Sequence, residues 1–434
     1  MIRKIRYSLI AIGFVFFLIA APLMVLYVRG ITYNFTTNKF VKTGILAVRV
    51  APANASIFLD GKIKLQSQGD IKFLVPDGYR VDIKKSGYND WGKRLNVNAG
   101  QVTWANPAFG NIYLFLQNPP SQSLASGVLD FYSQGKNLFY LTALNAVVTT
   151  SDNFSSQQVY PLPKNVNKIL TQDSTGQNFI LANQSPPSST PLFLIFNKSS
   201  GKFTDISSLL LSTAKLQFGS GGDLFALNDN ILYSINLENK TKAAIFSGVK
   251  AFYFQADQLY YVKQTGENCE LDVSLAPFSQ SQLLVANLPD FDAGSLFVTF
   301  EKEILLIGDG RVYLLSSSLQ QISDNISAFN FDPNNSFLTL IHSGEFDYYD
   351  PVAASLNFVT RSSEPLTNPQ VLTAIGNAFF SQGNKLMVIE LDSRDSQNQY
   401  QLYQGTNIQK FIVDDAGKNV LLLDDGELKS LVIR

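Results

Sequence analysis

A single histidine, His342, and a single cysteine, Cys269, are all the imidazole and thiol chemistry available to this 434-residue chain. One cysteine can form no intramolecular disulfide, and this pair of residues cannot build a His-rich or Cys-ligated zinc site. A Ser-His-Asp arrangement would depend wholly on His342. No G-x-S-x-G lies near it, and neither a P-loop nor a G-x-G-x-x-G occurs in the chain. His342 ends an apolar run one residue before a turn and reads as a core or rim residue.

Carboxylates are more plentiful: Asp414-Asp415, Asp424-Asp425, and Asp392 with Asp395. Two carboxylates can serve a glycosidase, and hard oxygens can hold calcium. These pairs sit where turns are expected, and Asp is favoured there because its side chain bonds the local backbone. Arg394 stands inside the Asp392–Asp395 pair, which argues against a cation cage, and no stretch matches the twelve-residue calcium loop. We therefore expect no catalytic, metal or cofactor residues. Net charge is −1, with only 16% charged residues, so no basic field favours nucleic acid.

Several elements could position such residues. From Tyr7 to Val28 the chain carries no charge, between Arg6 and Arg29. At ~1.5 Å per residue this run matches a hydrocarbon core of ~30 Å. It is longer than a signal-peptide apolar region, and Ala20-Ala21 precedes a proline, so an uncleaved anchor is expected over residues 1–30. The tail of Arg3, Lys4 and Arg6 points to a cytoplasmic N-terminus, with the bulk of the chain outside.

Residues 44–117 alternate apolar and polar in short runs that end in Gly, Pro, Asp or Asn, a pattern of hairpins. Gly78-Tyr79 and Gly87-Tyr88 repeat one pair around the run Tyr79 to Lys85, and we expect a turn at each. Asp60-Gly61 is another hairpin signal. The stretch Pro52-Ala53-Asn54-Ala55, then SIFLDGK, then GYRVDIKKSGY, resembles the PEGA family of small β-sandwiches. Asn54 stands where glycine is usual, and Gln68-Gly69-Asp70 replaces a Gly-x-Thr-Pro stretch. The resemblance implies an accessory envelope module without catalysis. Trp91 and Trp104 within it read as core or rim packing, with a sugar-stacking platform as the sharper alternative.

Residues 118–127, with Asn118-Pro119-Pro120 and a Ser/Gln-rich run, read as a linker. Over 128–434 the sequence repeats. ISAFNFDPNNSFLTLIHSGEFDYYD from Ile326 aligns without a gap on IQKFIVDDAGKNVLLLDDGELKSLV from Ile408, so that Gly344-Glu345 matches Gly426-Glu427. Looser copies start at Val128, Val166, Lys215, Val249, Ser295 and Gly376. Units of about 40 residues with strand-turn-strand order predict β-propeller blades. The pattern resembles blades of the TolB-like and WD-repeat group. The last copy ends after three strands, so residues near 113–127 would have to supply a fourth, and seven or eight blades remain open.

The expected protein is thus all-β behind an N-terminal transmembrane helix: a PEGA-like sandwich followed by a seven- or eight-bladed propeller. Its expected role is a membrane-tethered extracytoplasmic binding or scaffold protein for an envelope protein or cell-wall polymer. A propeller glycoside hydrolase or lyase, and a self-assembling surface element, are the alternatives.

Overall fold

A computed structural model describes residues 2–35, 37–134, 137–151, 156–183, 191–292, 294–315, 319–332 and 337–434. Among the described residues one α-helix, Ile2–Val28, precedes strands and two short 3-10 turns at Ser207–Leu209 and Ser220–Gly222. Among the described residues no helix is long and apolar enough to cross a membrane. The side chains of residues 2–11, where the apolar run from Tyr7 begins, lie outside the described residues.

The first β-unit packs two sheets face to face. Gly44–Val48 lies between Val102–Trp104, in parallel, and Gly69–Leu74, antiparallel. The second sheet orders Lys62–Leu65, Ser56–Leu59, Asp77–Lys84 and Trp91–Val97. Alternation does what it should: Val81, Ile83, Leu95 and Val97 turn inward with Leu46, Val48 and Ile57, all buried. Asp60 and Gly61 both take positive φ, as a two-residue hairpin turn requires. Asn54 also sits at φ +62°, which explains how it replaces glycine. The Gly-Tyr repeat is not symmetric, however. Gly87 is a turn residue at φ +82°, whereas Gly78 lies inside the strand Asp77–Lys84. A Cβ at Gly78 would meet only the movable ends of the Asn96 and Arg94 side chains, so no turn requires glycine there.

Eight four-stranded antiparallel sheets follow among the described residues, each resembling a propeller blade. We number them blade 1 (128–161), 2 (168–205), 3 (215–247), 4 (249–288), 5 (294–323), 6 (326–361), 7 (366–404) and 8 (408–432). First strands of most successive blades touch, and Phe297 against Phe331 and Lys410 against Asp130 bridge the other two boundaries, so these strands line the middle of a ring. Residues 333–336 of the blade 6 repeat lie outside the described residues. Between blades lie separate apolar clusters. In one of them Phe139 of blade 1 stacks on Phe179 of blade 2 at 3.9 Å.

Inner strands are also sewn together by glutamines. Gln217 donates to Phe254 O (3.1 Å) and accepts from Phe254 N (3.0 Å). Gln370 repeats the device one turn from closure, bonding Phe411 O at 2.6 Å and Val413 N at 3.2 Å. In each case a side-chain amide extends the backbone ladder across a blade boundary.

Blade 8 has three strands of its own, and its fourth is Ser121–Ser126, paired antiparallel to Glu427–Val432. These residues fall in the stretch whose composition suggested a linker. Ring closure is completed inside by Lys410 of blade 8, whose Nζ donates to Asp130 Oδ1 of blade 1 at 2.9 Å. One repeat boundary differs from expectation. Blade 7 opens with Leu366–Leu372, ahead of Gly376, and Pro369 in a bulge of that strand masks its pattern in the sequence.

Candidate functional site

The acidic residues singled out above separate into three jobs. Asp414 is a turn former: its Oδ1 accepts from Lys418 N at 2.7 Å, and its Oδ2 accepts from Asn419 Nδ2 at 2.8 Å. Asp173 in blade 2 repeats this turn with Gln177 and Asn178. Burial pulls Asp173 upward, yet the hydrogen bonds from Asn178, Gln177 and Thr175 prevail and hold it below the ordinary carboxylate value. Asp424 is buried, accepts from Thr406 N and Asn407 N, and takes the Tyr403 hydroxyl at 2.9 Å. Asp425 holds φ +50° in the hairpin turn beside it.

Asp392 and Asp395 do something the sequence did not suggest. They belong to a polar seam that fastens the small sandwich to blade 7. Its centre is Lys93, whose side chain is 0% exposed. Lys93 Nζ lies 2.5 Å from Glu390 Oε1 and 3.6 Å from Asp392 Oδ2, and donates to Asp392 O at 2.6 Å. On one side Trp91 Nε1 donates to Glu390 Oε2 at 2.7 Å. On the other, Arg94 N donates to Asp395 Oδ2 at 2.7 Å. Asn398 brackets Gly92, accepting from its N–H at 3.2 Å and donating to its carbonyl at 3.3 Å. Arg394 grips Asp392 and reaches back to Ala105 O at 2.8 Å. Beneath this polar layer Phe115 is fully buried, edge-on to Phe379 at 6.0 Å.

The seam decides the tryptophan question. Trp91 is buried in it and cannot be a sugar platform, whereas Trp104 is 42% exposed with the Arg49 guanidinium 5.4 Å from its ring. It also makes the seam acid-sensitive. Burial raises Asp392, but bonds from Arg394 and the charge of Lys93 outweigh it; Asp395 is lowered first by the Arg94 N–H. Depressed carboxyls contribute fully above their unfolded value of about 3.9 and lose that contribution as pH falls through the lower folded values. With Trp104 replaced by Phe, Trp91 fluorescence should therefore change below about pH 4 before the ring unfolds. Unaltered emission down to the ring's own transition would contradict this.

On the inner strands, Asp130 is buried and fully answered by Lys410, by Lys168 at 3.9 Å and by Ile169 N at 2.9 Å. That is a structural use of a carboxylate. Across blades 4 to 6 the inner strands present an aromatic wall: Phe297 stacks on Phe331 at 4.6 Å, with Tyr253 and Phe329 edge-on at 5.9 Å. Burial raises the Tyr253 hydroxyl to about 12, so it stays neutral. Phe329 is 40% exposed and faces an open groove with Ser295, Asp309 and Ser327. Exposed aromatic edges beside backbone and hydroxyl groups suit peptide or polysaccharide contact.

His342 is neither core nor isolated. It pairs across a hairpin with Glu345 in blade 6, and its Nε2 lies 2.6 Å from Asp347 Oδ2. Cys269 is buried, and burial followed by its contact with Asp290 raises the thiol to about 11, which keeps it protonated.

Comparison with known proteins gives one family match: the PEGA domain, over residues 43–112. No curated protein matches the chain. Similar solved structures include a eukaryotic initiation factor, at 10% identity over 77% of this chain and 87% of that one, with TM-score 0.48. Streptogramin B lyase matches at 10% identity over 76% and 100%, TM-score 0.42. The WD40 domain of SCAP from fission yeast matches at 10% over 73% and 98%, TM-score 0.44.

Proposed function

We propose that this chain is a membrane-tethered, extracytoplasmic scaffold that presents its ring of blades to an envelope protein or polymer. The observation that carries the reading is the seam of Trp91, Lys93 and Arg94 with Glu390, Asp392 and Asp395, which joins sandwich and ring into one body. Fixing the sandwich at the rim gives the ring a defined orientation relative to its tether, which is what a presenting platform supplies. The uncharged run Tyr7 to Val28 supports the tether, and the aromatic groove of blades 5 and 6 supports a binding face. The full chain, purified in detergent, is used as bait against host envelope proteins and wall polymers separately. Recovery of a defined protein or polymer that F329A releases supports the reading. Turnover of an envelope glycan by the pure chain would replace it with an enzyme.

A further inference from the structure

The repeat that aligns blades 6 and 8 places His342, Glu345 and Asp347 on Asp424, Glu427 and Lys429. The registers agree: His342 pairs with Glu345 as Asp424 pairs with Glu427, and Leu340 faces Asp347 as Leu422 faces Lys429. All three positions therefore share one face at the end of a hairpin. In blade 8 the arrangement carries its own cation. Lys429 Nζ lies 2.9 Å from Glu427 Oε2 and 3.5 Å from Asp424 Oδ2. In blade 6 the ammonium is gone, and a third ligating group, Asp347, stands in its place.

The geometry points to a binding site for a divalent transition cation, of the Zn²⁺ class, formed by His342, Glu345 and Asp347. One donor atom from each lies within 4.8 Å of the others. Asp347 is only 5% exposed, and its Oδ1 has no hydrogen-bond partner, a costly condition for a buried carboxylate oxygen. Glu345 is already aimed: Arg361 engages Oε1, while Oε2 is the oxygen nearest His342 Nε2, at 4.0 Å. Arg361 thus acts as a positioning residue in the manner usual for ligating carboxylates.

An imidazole with two carboxylates suits zinc better than calcium or magnesium, which take oxygen alone. The ion takes the place of the hydrogen between His342 Nε2 and Asp347 Oδ2, and the displaced proton leaves to water. Those atoms then move from 2.6 Å to about 3.3 Å apart, the separation of two ligands on a tetrahedral ion. His342 and Glu345 are partly exposed, with side-chain exposures of 17% and 20%, so the fourth position opens to water.

The test uses the full chain in detergent, stripped of metal, with Zn²⁺ in equilibrium dialysis and Co²⁺ as an absorbing probe. One equivalent should bind, with visible Co²⁺ bands. R361Q should weaken binding by about tenfold. The double variant H342D/D347K recreates the arrangement that folds in blade 8, so it should melt like the parent and bind no metal. Failure of the parent to bind Zn²⁺ would overturn the proposal, and so would undiminished binding by the folded double variant.

Discussion

Replacing Lys93 with alanine should detach the sandwich from blade 7 while leaving each unit folded. Lys93 is wholly buried and is the cation between Glu390 and Asp392, at 2.5 and 3.6 Å. The pair itself adds little against an apolar isostere, because removing charges from water is costly. Removing one partner is a different matter, since it strands the others: breaking a buried pair typically costs about 3–5 kcal/mol. Glu390, left with the neutral donors Trp91 and Asn398, would then draw in more water by opening the seam, while Asp392 keeps Arg394. Hydrogen exchange at Gly92 and Arg94, whose N–H groups bond Asn398 and Asp395, reads that opening directly. The variant K93A/E390Q removes the stranded charge and should recover much of the loss. Protection at Gly92 and Arg94 unchanged in K93A would show that the seam does not depend on this lysine.

Three prolines at positions 121, 122 and 123 should open the ring. Ser121, Gln122 and Ser123 pair with Leu431, Ser430 and Lys429. Antiparallel ladders alternate which residues donate inward, so three consecutive prolines remove the donors whichever alternation holds. Each lost bond is worth roughly 1 kcal/mol net. The larger effect is on Leu124 and Ala125, which pack on a cluster with Val128, Phe131, Leu423 and Leu428 and would be pulled from it. Glu427–Val432 becomes an unpaired edge, and an apolar edge seeks a partner in another chain. The expected result is loss of exchange protection in blade 8 together with concentration-dependent oligomers. A monomer with full protection there would mean that closure rests on the remaining blade 8 to blade 1 contacts, Lys410 with Asp130 and Val128 and Phe131 with Leu423 and Leu428.

What could be read beforehand depended on how local the physics was. Strand alternation, the Asp60-Gly61 turn and the match of the 326 and 408 units are local, and the missing fourth strand of the final unit followed from counting within it. The opening of blade 7 was hidden because Pro369 interrupts a strand that tolerates it only through a bulge. The seam was illegible for a stronger reason: Trp91 and Glu390 are 299 positions apart, and nothing in either segment names the other. Arg394 did carry a hint, since an arginine between two acids speaks of ion pairing, but not with what. The blade 6 cluster lay within reach. Once the units were aligned, the exchange of Lys429 for Asp347 was visible, although its meaning needed the register that puts both on the face of His342 and Glu345.

Closing the ring with Ser121–Ser126 sets a timetable for manufacture. About 300 residues separate that strand from its mate at Glu427–Val432, and a ribosome adding ~5–20 residues per second needs roughly 15–60 s to produce them. Throughout that interval the early strand has no mate, and Lys93 and Phe115 wait for groups on blade 7 that have not yet been made. Blades 1 to 6 can stack meanwhile, since each rests on its neighbour, but the sandwich can dock only once blade 7 is made, and the ring can close only once Glu427–Val432 is. Losing Glu427–Val432 would leave Ser121–Ser126 without its mate, although the blade 7 groups that hold the sandwich would already be present.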